Sequence, residues 1–316
     1  MTTGHRPPAI TATGLRKSYG AHTVLDGIDL NVPAGTIFSL LGPNGAGKTT
    51  AVQILSTLIG ADAGDITVAG HDLTRDPEAV RAAIGLTGQF AAVDNLLTGE
   101  ENLAMMAVLH HLGRAERKRR VARLIEQFDL VDAARKPAST YSGGMRRRLD
   151  IAMGLIGDPQ VLFLDEPTTG LDPRSRRAVW RLVRELVAGG TTVFLTTQYL
   201  EEADQLADRI ALLDGGKVIA EGSPEELKRL VPGGHINLRF VEPRALEAAV
   251  RLLGAVVRDE DELTLQVPSD GGVDSLHTLL DTLKAAGIPT AELSVHTPDL
   301  DDVFLALTGK PKESVR

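Results

Sequence analysis

The stretch Thr36-Ile37-Phe38-Ser39-Leu40-Leu41-Gly42-Pro43-Asn44-Gly45-Ala46-Gly47-Lys48-Thr49-Thr50 decides the fold class. Its first six residues form a short apolar run of the kind found in strands buried on both faces. From Gly42 to Thr49 the chain matches G-x-x-x-x-G-K-[ST], and Lys48 to Ile59 carries a helical pattern. Strand, glycine-rich loop and helix in that order make a phosphate cradle. Small residues let successive backbone N–H groups turn inward onto phosphate oxygens, where a side chain would block the approach. Lys48 supplies a point charge for the β and γ phosphates, the Thr49 hydroxyl is placed to ligate Mg²⁺, and the helix adds its positive N-terminal end. The nucleotide contacts expected here are Gly42, Pro43, Asn44, Gly45, Ala46, Gly47, Lys48, Thr49 and Thr50.

Downstream, Val161-Leu162-Phe163-Leu164 is a second buried-strand run, and it delivers Asp165 and Glu166 to the carboxyl end of a strand, where open α/β sheets bind ligands. Asp165 is the candidate Mg²⁺ ligand and Glu166 the candidate general base for an attacking water. A third run, Thr192 to Thr196, follows the helical pattern of Ser175 to Ala188. Continuous apolar strands alternating with helices predict a parallel sheet covered on both faces. Upstream, Ala9–Tyr19 and Thr23–Val32 alternate as an antiparallel strand pair. Between about residues 89 and 157 the strand signal gives way to helices over 100–112, 115–130 and 143–156, which read as an inserted helical subdomain. A turn at Val231-Pro232-Gly233-Gly234 marks a linker, so the expected domains are 1–230 and 235–316. The second reads as βαββαβ with a last helix whose Leu300, Val303, Phe304 and Leu307 share one core-facing side.

Composition bounds the chemistry. The 316 residues are 43% hydrophobic and 24% charged, enough to bury a sizeable core. With no cysteine, disulfides, thiolate metal sites and thiol catalysis are excluded. Forty-two acids against 34 Lys plus Arg leave a formal charge of −8, which argues against non-specific nucleic-acid binding. No stretch reads as a membrane span or a secretion signal. The basic run Arg114 to Arg123 reads as a solvated helix face. The histidines lack metal-ligand spacing, since the adjacent His110 and His111 cannot share one helix face.

The motif Tyr141-Ser142-Gly143-Gly144-Met145-Arg146, upstream of Asp165, resembles the signature sequence of ATP-binding cassette (ABC) ATPases. Taken alone, Ser142-Gly143-Gly144 is also an ordinary helix cap. The resemblance implies a P-loop cassette with a RecA-like parallel core, an antiparallel β subdomain and an inserted helical subdomain, followed here by a small α+β domain. It assigns Tyr19 to stacking on adenine, Gln89 to the γ-phosphate and Mg²⁺, Asp172 to the loop after the acids, and Gln198 to the switch position, where most of the family has histidine. An amide there donates a hydrogen bond but carries no positive charge. Ser142, Gly143 and Gly144 would present N–H donors to the γ-phosphate bound by an opposite subunit, which implies a homodimer with composite ATP sites and Mg²⁺ as cofactor.

Three longer stretches, Tyr141–Ala152, Thr196–Asp204 and Leu300–Gly309, are similar to the daunorubicin-resistance type of drug-exporter ATPase. This resemblance implies a subunit at the cytoplasmic face of the cell membrane, energising efflux of an amphiphilic drug, antibiotic or lipid through a separate membrane-spanning permease. The alternative is a regulatory or non-transport ATP-binding module in which Gln198 limits turnover. The apolar segment Phe90-Ala91-Ala92-Val93 is expected to line the groove that receives the permease, the alternative being that these residues are buried within the helical subdomain.

Overall fold

The computed structural model describes residues 7–88, 92–231, 234–254, 257–259, 261–269 and 272–309. The chain divides into two compact units, Met1–Pro224 and Glu225–Arg316, so the division falls ahead of the linker expected at 231–234.

In the first unit β1 (Ile10–Tyr19) and β2 (His22–Val32) pair antiparallel, as their alternation predicts. β3 (Ile37–Leu41) runs through the glycine loop into α1 (Lys48–Leu55). Next come β4 (Ala63–Val68), β5 (His71–Asp72), α2 (Pro77–Ala83) and β6 (Ile84–Thr87). The helical stretch holds α3 (Gly99–Leu109), α4 (Arg114–Gln127) and α5 (Gly143–Gly154). β7 (Val161–Asp165), α6 (Pro173–Ala188), β8 (Thr192–Thr197), α7 (Leu200–Leu206), β9 (Arg209–Asp214) and β10 (Lys217–Gly222) close the unit.

Two sheets result. One is antiparallel in the order β2-β1-β4-β5, and the other runs β10-β9-β3-β8-β7-β6, parallel from β9 to β6 with β10 antiparallel at its edge. Every residue of β3, β7 and β8 is buried, which is why these strands read as apolar runs rather than alternations. Leu162, Leu164, Val193 and Leu195 face a core shared with Leu103, Phe128, Leu149, Ile151 and Trp180 of the helical side. Phe38, Phe163 and Phe194 face the other way, toward Ile54 of α1 and Ile10 and Leu25 of the antiparallel sheet. The Phe194 ring lies 5.6 Å from both Phe38 and Phe163, the spacing favoured by aromatic pairs.

The register positions the site. Leu41 pairs with Thr197, Asp165 with Thr196, and Thr87 with Leu164. The loops after β3, β6, β7 and β8 therefore leave one edge of the sheet together.

The second unit, described by itself, contains most of α8 (Pro224–Lys228), then β11 (His235–Arg239), α9 (Pro243–Leu253), β12 (Val257–Asp259), β13 (Thr264–Pro268), α10 (Val273–Ala285), β14 (Glu292–His296) and α11 (Leu300–Thr308). From β11 to β14 this is the expected βαββαβ order, with antiparallel neighbours in the order β12-β13-β11-β14. Ile236, Leu238 and Leu265 of the sheet pack against Leu246 and Ala249 of α9 and Leu279 and Leu283 of α10. In α11, Leu300 and Val303 are buried, but Leu307 is exposed, so the last turn does not continue the core-facing side that its spacing suggests.

Phe194→Ala removes a ring buried between two others and should destabilise the first unit by about 3–5 kcal/mol. A shift of its urea midpoint, with intact β11–β14 packing, checks this.

Candidate active site

The P-loop is shaped by close backbone approaches. Gly42 donates its N–H to Thr197 O at 3.2 Å, and a Cβ built on Gly42 would stand 2.2 Å from Leu213 O. Gly47 holds φ +109°, and its Cβ would meet Leu25 Cδ2 at 2.7 Å and Val24 O at 2.9 Å. Only glycine fits either place. Among the described residues, the N–H groups of Gly45, Gly47, Lys48 and Thr49 have no hydrogen-bond partner. A run of unused donors at a helix start suits an anion such as a nucleotide phosphate.

Lys48 is buried, and its Nζ donates to Gly42 O at 2.8 Å and Pro43 O at 3.0 Å while facing Glu166 Oε1 at 3.7 Å. Burial pulls its pKa down, and the carboxylates of Glu166 and Asp165 pull it back up. Thr49 Oγ1 lies 3.4 Å from Asp165 Oδ1. A hydroxyl and one carboxylate side by side suit Mg²⁺, which keeps several waters and takes its other oxygens from phosphates. No group of three or more His, Asp or Glu side chains suited to a metal occurs among the described residues.

The residue that joins the two acids opens the Thr196–Asp204 stretch, but the sequence alone assigns it no role. Thr196, fully buried in β8, donates from Oγ1 to Asp165 Oδ1 and accepts the Glu166 N–H at 3.1 Å. The Glu166 N–H also reaches Thr196 O at 3.1 Å. Glu166 has φ +48°, in the left-handed region, a conformation that costs a non-glycine residue about 1–2 kcal/mol and persists only where neighbours over-determine it. Thr169 Oγ1 donates to Glu166 Oε2 at 3.1 Å. Behind this loop, the fully buried Glu202 of α7 accepts from Thr168 Oγ1 at 2.8 Å and from the Trp180 indole N–H at 3.0 Å. Burial pushes the Glu202 carboxyl up, while hydrogen bonds from Thr197, Thr168 and Trp180 pull it down. In the sequence Thr196 appears as the hydroxyl that ends the apolar run Val193–Leu195 and opens the Thr196–Asp204 stretch.

Ser142 caps α5, its Oγ accepting the Met145 N–H at 3.3 Å, with Gly143 and Gly144 in the first turn. No hydrogen bond or ion pair among the described residues links Ser142–Gly144 to the P-loop of the same chain. Two of the three arginines that follow find acids: Arg148 pairs with Asp129 at 2.8 Å and Arg147 with Asp150 at 2.9 Å. Asp172 caps α6, accepting from the Arg174 and Ser175 amides at 3.0 Å and from the Ser175 hydroxyl, and the bonds from Ser175 and Arg174 hold its carboxyl below the usual range. Gln198 leaves β8 half-buried, and its side chain makes no hydrogen bond among the described residues. Tyr19 ends β1 half exposed, with Lys17 Nζ 5.6 Å from its ring centre. Gln89, Phe90 and Ala91 lie outside the described residues. Val93, expected to line an open groove, is instead buried in the core beneath α3 and α5. An apolar side chain beside a helical layer gains more from that core than from solvent.

The family described as ABC transporter matches residues 25–169. The chain is similar to the daunorubicin resistance ATP-binding protein DrrA3 of Streptomyces coeruleorubidus, 54% identical over 95% of this chain and 96% of that protein. It is also similar to the daunorubicin/doxorubicin resistance ATP-binding protein DrrA of Streptomyces peucetius, 49% identical over 96% of this chain and 94% of that protein. Among solved structures, an ATP-binding cassette in a dimeric post-hydrolysis state bound to ADP and Pi matches with a TM-score of 0.61 and 25% identity, over 68% of this chain and 98% of that one.

Thr196→Val removes the hydroxyl shared by Asp165 and Glu166. Turnover should fall about 10–100-fold while nucleotide binding persists, as steady-state phosphate release and a fluorescent-nucleotide titration would show.

Proposed function

This chain belongs to the ABC transporter ATP-binding subunits of the daunorubicin-resistance type, and on that premise we propose that it powers efflux of an amphiphilic drug, antibiotic or lipid through a separate membrane permease. The chain is an ABC-type ATPase. The observation that carries the catalytic reading is the meeting of Lys48, Thr49, Asp165 and Glu166 at one sheet edge, beside unused P-loop donors.

In this reading the amides of Gly45, Gly47, Lys48 and Thr49 hold the phosphates, with Gly42, Pro43, Asn44, Ala46 and Thr50 completing the cradle. Thr49, Asp165 and Gln89 would hold Mg²⁺, which supplies charge to the leaving phosphate oxygens. Glu166 orients and deprotonates the attacking water, and Lys48 neutralises charge developing on the γ-phosphate. Gln198 donates an amide hydrogen bond to the same phosphate and cannot add a charge. Tyr19 offers its exposed ring to the adenine.

Ser142, Gly143 and Gly144 would act on the nucleotide of a second copy, which fits their separation from this chain's own P-loop. Two copies then enclose two composite sites, with Asp172 near the shared seam, so ATP holds the subunits together and hydrolysis releases them. Among the described residues no helix is long and apolar enough to cross a membrane. The reading therefore assigns the bilayer path to the permease and places this chain at the cytoplasmic face through it.

Glu166→Gln should cut ATP turnover by about 10²-fold or more and leave Mg-ATP binding intact, and unchanged turnover would refute the assignment of the base. In cells expressing the chain with its permease, accumulation of an amphiphilic test drug such as daunorubicin should drop. The same variant should abolish that drop.

A further inference from the structure

Arg147 and Asp150 are about one turn apart on α5, separated by Arg148 and Leu149, and the two charges point to the same buried side of the helix. Arg147 is 7% exposed and Asp150 4%. A buried guanidinium demands partners for its planar set of donors, and here its carbonyl partners belong to the catalytic edge. Nε donates to Pro167 O at 2.8 Å and Nη2 to Asp165 O at 3.2 Å. Nη1 donates to Gly88 O and Asp150 Oδ2, both at 2.9 Å. Asp150 uses its other oxygen to accept the Ala92 N–H at 2.9 Å.

The two carbonyls from Asp165 and Pro167 lie on either side of Glu166. That residue holds a left-handed backbone, so its carboxylate direction depends on what grips the chain just before and just after it. Thr196 of β8 accepts the N–H of the Asp165–Glu166 peptide, and Arg147 of α5 holds that peptide's carbonyl and the Pro167 carbonyl beyond it. The same helix begins with Ser142, Gly143 and Gly144. Burial works against the guanidinium charge, and the carboxylates of Asp150, Glu202 and Asp165 oppose that loss.

We propose that Arg147, oriented by Asp150, is a positioning residue that ties the signature helix to the backbone on both sides of Glu166 and so sets the direction of the catalytic carboxylate. The inference rests on the reading of Glu166 as general base. Arginine is required because its flat fork reaches three carbonyls and a carboxylate at once, whereas a lysine ammonium is a single point with a shorter reach. Asp150 is required because it fixes the rotation of the fork through Nη1.

The test uses the full chain with Mg-ATP. Arg147→Lys keeps a positive charge and loses the fork. It should lower kcat about 10–100-fold, as expected when a reacting group is displaced by about an ångström, with KM for ATP changed less than about 3-fold. In a Glu166→Gln background it should lower the residual rate no further, because the group it positions is gone. A normal kcat in a folded Arg147→Lys protein overturns the inference while leaving Glu166 as base, provided that Glu166→Gln is inactive. A further loss in the Glu166→Gln background, equal to that in the wild type, also overturns it. Full activity of Glu166→Gln sinks the reading of the base instead. If Arg147→Lys does not fold, Asp150→Glu, which keeps the charge and shifts the fork, is read by the same kcat and KM split. Failure of both to fold assigns the pair a purely structural role and overturns the proposal.

Discussion

The seam between β8 and its two neighbours is the constraint on which the rest of the site depends. Thr197 pairs with Leu41 and Thr196 with Asp165, so one strand sets where the P-loop begins and where the acids end. A shift of one residue would turn Thr196 to the opposite face and strip Asp165 and the Glu166 N–H of their shared hydroxyl. It would also carry the Thr197 carbonyl away from Gly42 N. The aromatic stack of Phe38, Phe163 and Phe194 lies across the same three strands and holds that register through packing.

Buried charge is concentrated around this seam. Among the described residues, the buried charged side chains are Lys48, Arg147, Asp150, Asp165, Glu166 and Glu202, contributed by α1, α5, β7, the loop after β7 and α7. Charges removed from water are costly unless each is paired or hydrogen-bonded. The chain meets that demand by linking them to one another or to the intervening threonines and carbonyls. The result is a polar layer that stiffens the loop carrying Glu166, with Glu202 Oε2, among the described residues, the one carboxylate oxygen in it left buried without a hydrogen bond.

Much of this is legible from residues alone. The strands β3, β7 and β8, the P-loop, the acids and the βαββαβ order all have local signatures, because burial on both faces or a phosphate cradle restricts composition directly. Other elements leave fainter traces. β6 is four residues long and follows α2 without an intervening turn, so no punctuation separates it from the helix. The β9–β10 hairpin is absent from the expectations above, although its Gly215-Gly216 turn between apolar stretches is a readable signal. Thr196, Glu202 and Arg147 act across 18 to 34 positions of chain on Asp165, Thr168 and Pro167, and such contacts are products of topology. All three lie within the stretches Tyr141–Ala152 and Thr196–Asp204 that carry the family resemblance, but nothing local identifies their partners.

Trp180 is the chain's single tryptophan, and its indole N–H is bound to Glu202, the carboxyl that also holds Thr168 beside the catalytic loop. Indole emission responds to the charge and hydrogen bonding at its nitrogen. The protein thus contains an intrinsic optical reporter at the junction of α7 and the loop behind Glu166, with no second tryptophan to dilute its signal.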